Sequence, residues 1–76
     1  MRSYPILICV YRFEDQELSF IKETVYVGGP YNASISDFDH GFWVDENYEF
    51  TKMGDNKYWI PPSKILCIRK EWRSEL

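Results

Sequence analysis

Tyr4-Pro5-Ile6-Leu7-Ile8-Cys9-Val10-Tyr11-Arg12-Phe13 is rich in β-branched and aromatic side chains and has no helical period. It therefore reads as a strand. Its central part, Ile6–Val10, is apolar at every position, and so is Ile65-Leu66-Cys67-Ile68 near the other end of the chain. A strand of a small domain turns only one face to the core, so the second face of each run needs a cover. A subunit interface is the economical cover, and terminal segments folded over these strands are the alternative.

Working outward, Glu14-Asp15-Gln16-Glu17 is a polar turn, and Leu18–Val27 alternates apolar and polar residues in the manner of a half-buried strand. Gly28-Gly29-Pro30-Tyr31-Asn32 breaks it with three punctuators in succession. Short strands are expected at Gly41–Val44, Tyr48–Thr51 and Lys57–Ile60, with a turn at Met53–Asn56. Pro61-Pro62-Ser63-Lys64 cannot continue a ladder, because neither proline donates a backbone hydrogen bond, and a single tight helical turn is expected there. Ile65–Trp72 is the last strand. Short strands joined by tight turns, with no helix, predict an all-β fold: one small, strongly bent five-stranded barrel occupying residues 1–76.

A chain of 76 residues holds one domain at most. It buries only about 60–65% of its unfolded surface, so self-association is the expected source of added stability. Aromatic residues make up 18% of the chain, too much large apolar surface for wholesale disorder, and little volume is left for a catalytic pocket. No run approaches the roughly 20 apolar residues that span a bilayer, and the N-terminal residues do not read as a signal peptide. Cys9 and Cys67 sit inside apolar runs and read as free, buried thiols, which points to the cytoplasm. Should the first and last strands pair, spacing alone leaves a disulfide between them open.

The net charge of −3 argues against a protein that coats duplex nucleic acid. Its distribution is uneven. Asp37, Asp39, Asp45, Glu46, Glu49 and Asp55 face a single base, Lys52, in the middle of the chain, whereas Lys57, Lys64, Arg69, Lys70 and Arg73 face only Glu71 near its end. Solvated faces account for both clusters. The sharper reading is one acidic and one basic surface, which favours head-to-tail contacts between subunits or a local anion site.

Three stretches resemble Src-homology-3-like barrels: Val10-Tyr11-Arg12-Phe13, Glu17-Leu18-Ser19-Phe20-Ile21-Lys22, and Trp59-Ile60-Pro61-Pro62-Ser63-Lys64-Ile65. Lys64 stands where that family has the tyrosine of its proline-peptide groove. Ile35-Ser36-Asp37-Phe38-Asp39-His40-Gly41-Phe42-Trp43-Val44 resembles the first motif of Sm-like barrels, and Ile60–Ile68 would then be the second. The Sm-like resemblance implies a ring that binds RNA bases between subunits. Pro61, Pro62 and Ser63 occupy that family's basic or histidine positions.

No Ser/His/Asp arrangement, P-loop or dinucleotide-binding turn is present, and His40, the only histidine, has no evident partner as a general base. No enzyme activity and no cofactor are expected. Asp37-Phe38-Asp39-His40 could supply ligands, but on an extended strand Asp37 and Asp39 face away from His40, so no metal site is expected. The leading expectation is a non-catalytic homo-oligomeric module that binds single-stranded RNA or a nucleotide-like ligand. Tyr31 and Phe38 would stack on bases, and His40, Lys64, Arg69, Lys70 and Arg73 would supply polar and phosphate contacts. The alternative is a protein-interaction or inhibitor module, of the kind phages and mobile elements encode, using an acidic, aromatic-rich surface.

Overall fold

The computed structural model describes residues 2–27, 34–52, 54 and 56–75. Its central strand, β1 (Arg2–Glu14), carries β2 (Ser19–Val27) on one edge and β5 (Ile65–Glu75) on the other, all antiparallel. A second antiparallel sheet pairs β3 (Phe42–Val44) with β4 (Tyr58–Ile60). Short 3₁₀ turns, Ile35–Asp37 and Pro62–Lys64, precede β3 and β5, and no α-helix forms among the described residues. The fold is all-β, with five strands in two antiparallel sheets among the described residues. No ladder among the described residues joins the sheets into a closed barrel.

The strand expected at Tyr48–Thr51 shrinks to one bridge, Val44 to Phe50. Asp45 is the reason. Its Oδ1 accepts the amides of Asn47 (2.8 Å) and Glu49 (3.1 Å), while its carbonyl accepts the amide of Tyr48 at 2.9 Å. Tyr48 adopts φ of 64°, so the chain curls where a ladder would have run. The turn expected at Met53–Asn56 includes Met53 and Asp55, which lie outside the described residues.

Strand alternation sends Leu7, Cys9, Tyr11 and Phe13 of β1 toward the second sheet, where Phe42, Val44 and Ile60 meet them. Phe38, from the turn before β3, is fully buried in the same cluster. Edge-to-face contacts bind the layer: Tyr11 to Phe42 at 5.4 Å and Phe38 to Phe42 at 4.9 Å between ring centres. Each fully buried aliphatic side chain contributes about 1.5–3 kcal/mol relative to exposure.

The opposite face of β1 is covered within the single chain, since Ile6 and Ile8 are both 1% exposed. The register sets them between Val27 and Val25 of β2 and Glu71 and Arg69 of β5. Arg69 bonds Glu71 at 3.3 Å and reaches Glu23 on β2 at 3.5 Å, so its side chain spans the central strand. The cover that this run calls for is therefore partly a charged strap built from its neighbours. On β5 the outward Leu66 stays 53% exposed.

Buried hydroxyls tie the Asp45–Phe50 turn to the larger sheet. Thr24 is fully buried, its hydroxyl accepts the Phe50 amide at 2.7 Å, and it donates to Glu49 Oε2 at 3.0 Å. Lys22, two residues earlier on the same face, holds Glu49 Oε1 at 2.7 Å. The Tyr11 hydroxyl donates to the Tyr48 carbonyl, and burial together with the Glu49 charge pushes the Tyr11 pKa up. Thr24→Val keeps the shape of the side chain but strands a buried amide, and should cost about 1–3 kcal/mol, or about 4–8 °C of Tm per kcal/mol. Val25→Thr on the outward face should stay within about 0.5 kcal/mol. Urea unfolding of the two variants checks this, and equal effects would contradict it.

Candidate functional site

The sequence Asp37-Phe38-Asp39-His40 does not form an extended strand. Asp37 closes a capping box: Ser34 Oγ accepts the Ser36 amide at 3.3 Å and Asp37 Oδ2 accepts the Ser34 amide at 2.9 Å. Lys52 bridges Asp37 Oδ1 (3.3 Å) and the Tyr26 hydroxyl (3.1 Å), which raises its pKa. Phe38 turns inward, its ring packed on Phe42 and Phe50, so it has no face to offer a base. Asp39 and His40 remain as an exposed pair 3.4 Å apart. Among the described residues no group of three His, Cys, Asp or Glu side chains gathers as a metal site would require.

The bases expected to contact phosphate are dispersed. Lys64 bonds Glu14 at 2.7 Å, which holds the Glu14 carboxyl below its usual range. Arg69 is engaged by Glu71 and Glu23. Lys70 and Arg73 are exposed, but they pair with Leu7 and Tyr4 respectively, which assigns them to opposite faces of the sheet. Tyr31 lies outside the described residues. The same alternation separates the thiols. Cys9 sits opposite Ile68 on the core face and Cys67 opposite Val10 on the outward face, and both are free. Burial pushes the Cys9 thiol up to about 12, so it is chemically silent at neutral pH, while Cys67 is exposed.

The second sheet builds a surface that the sequence reading left out of its site residues. In Phe42-Trp43-Val44 and Tyr58-Trp59-Ile60 the flanking residues turn to the core, so both middle residues must turn out. Trp43 and Trp59 are cross-strand partners whose rings meet edge to face at 5.5 Å, and they remain 41% and 47% exposed. Gly41 (φ 94°) seats this pair, because a Cβ there would overlap the Trp59 ring and lie 2.9 Å from the Ile60 carbonyl oxygen. Asp45 follows Trp43 by two residues and Lys57 precedes Trp59 by two. Both line a polar cleft of about 340 Å³ together with Glu46, Asn47 and Asn56. An indole platform thus leads to a rim with two carboxylates and one amine. Such a surface can pack apolar groups, hold a cation against an indole face and bond polar chain ends.

Comparison with protein-family models, curated proteins and solved structures yields no match for this chain.

Gly41→Ala should push the Trp59 ring off its seat and destabilise the protein, since both the positive φ and the close approach oppose a side chain. The circular-dichroism signal of two coupled indoles would fall with it. An unchanged signal would mean that the pair does not depend on Gly41.

Proposed function

We propose that this chain is a non-catalytic protein-interaction module whose docking surface is the Trp43–Trp59 face with its Asp45/Glu46 cleft. The observation that carries this reading is the exposure of two adjacent tryptophans on one side of a sheet whose other side is packed. Tryptophan is enriched among the residues that dominate binding energy at protein interfaces, and an indole held by packing loses little entropy on docking. The rim favours a partner with cationic side chains. Asp45 and Glu46 would repel a phosphate backbone there, and the expected phosphate contacts Lys64 and Arg69 already serve carboxylates.

The architecture we infer for this role is the small bent barrel of the Sm-like or Src-homology-3-like type in an open form. Support comes from the β1–β5 pairing and from the 3₁₀ turn that leads β4 into β5. The RNA-binding ring reading would have to rest on His40, Lys70 and Arg73 alone among the described residues.

Selection from a displayed random-peptide library tests the proposal. Selected peptides should lose about tenfold or more in affinity on Trp59→Ala and be unaffected by Lys64→Ala. Single-stranded RNA of mixed sequence should not bind at about 50 mM salt, where the electrostatic contribution is near its strongest. Peptides indifferent to Trp59→Ala, or RNA binding that depends on Lys64 and Arg69, would overturn it.

A further inference from the structure

Among the described residues, the end of the larger sheet remote from the Trp43–Trp59 face is a two-stranded ribbon. β1 and β5 pair from Arg2–Glu75 to Pro5–Trp72, whereas the described part of β2 joins the sheet at Ile6, opposite Val27. On this ribbon Trp72 is 64% exposed, more than any other large apolar side chain among the described residues. Lys70 shares its face by strand alternation and lies with its ammonium 5.9 Å from the Trp72 ring centre. Arg73, next to Trp72 in the chain, is exposed on the opposite face of the ribbon, while Glu71, which would offset these charges, is bonded to Arg69. The ribbon tip is therefore an indole accompanied by cations.

These features complement the other surface. That surface supplies two indoles, two rim carboxylates and a cleft of about 340 Å³ that has room for one or two side chains. The two surfaces cannot meet within one chain. Trp59 is joined to the start of β5 by the short Pro61–Lys64 link, and Trp72 lies seven residues along β5 from Ile65, about 23 Å at strand rise. The molecule is elongated to match, with a long axis of 46 Å.

We propose that the chain associates with itself head to tail, the Trp72 ribbon of one copy docking on the Trp43–Trp59 face of the next. The proposal rests on the reading of that face as a protein-binding surface and names its partner. Lys70 meets the Asp45/Glu46 rim, and Trp72 packs against the indole pair. Because donor and acceptor are different patches, the contact is heterologous. It closes into a ring if the rotation between copies allows and otherwise extends as an open chain. Charge pairing at the rim makes it weaken with salt.

Two exposed substitutions separate the halves of the contact. Trp72→Ala disables the ribbon and leaves the face intact, and Glu46→Lys does the reverse. Neither touches the core, and circular dichroism confirms that each is folded. In sedimentation equilibrium the wild type should rise above its 9.2 kDa monomer mass as concentration increases from about 10 to about 500 µM. Each variant alone should stay monomeric over that range. Mixed in equal amounts, they retain one productive contact between them, so they should form a 1:1 heterodimer and nothing larger. A wild type that stays monomeric at the highest concentration, a Trp72→Ala variant that associates like the wild type, or a mixture without heterodimer would each overturn the proposal. If displayed peptides still bind the Trp43–Trp59 face in that case, only the choice of partner fails. If they do not bind either, the reading of the face falls as well.

Discussion

Two buried side chains of the larger sheet, Thr24 and Tyr11, hold the two halves of this protein in register through their hydroxyls, and Thr24 makes the larger set of bonds. The smaller sheet has only three residues in each strand, too few to hold itself, and β3 and β4 are joined by a long segment. Thr24, facing inward from β2, takes the Phe50 amide and gives its own proton to Glu49, whose second carboxylate oxygen is held by Lys22. With the Asp45–Phe50 turn fixed, Tyr48 and Phe50 are presented to the core. Tyr48 stacks on Tyr58 at 5.1 Å, and Phe50 closes on Phe38 and Tyr26. A buried donor or acceptor left unmatched costs more than a matched pair gains, so this site specifies the arrangement of the sheets as well as stabilising it.

The position of the exposed indoles follows from that packing. Once Phe42, Val44, Tyr58 and Ile60 are committed to the interior, Trp43 and Trp59 have nowhere to go but outward. On the outward face of β1, Ile6 and Ile8 are meanwhile covered by the neighbouring strands and the Arg69 strap, while Val25 and Val27 of β2 stay exposed. Among the described residues, the exposed tryptophans stand at two ends: the Trp43–Trp59 pair on one and Trp72 on the other. An acidic rim attends the first and cations the second, and this gives physical form to the uneven charge along the chain.

The elements governed by local pattern were legible in the sequence. The period of two in Leu18–Val27, the unbroken apolar run of β1 and the adjacent prolines before β5 each dictate backbone geometry by themselves. Features that depend on distant partners were not. Lys64 finds Glu14 fifty residues away and Arg69 finds Glu23 forty-six away, so both resemble unengaged phosphate contacts until the strands are paired. Phe38 is a lone aromatic in a polar run, and nothing in its spacing says that the turn folds it into the core. The strand expected at Tyr48–Thr51 was lost to Asp45, whose side chain competes with the ladder for the same amides. The outward tryptophans were legible in principle, because each is the middle residue of a three-residue strand with core residues on both sides.

Native-state amide hydrogen exchange at Phe50 tests most directly whether the two sheets form one cooperative unit through Thr24. Its amide belongs to no long ladder, so protection there reports the Thr24 bond and the burial around it. The account predicts that Phe50 exchanges only with global unfolding, at the level of Leu7 and Cys9 in the central strand. Exchange as fast as that of the exposed Asn47, whose amide is held by the Asp45 carboxylate, would contradict it and would leave the smaller sheet an independently opening flap.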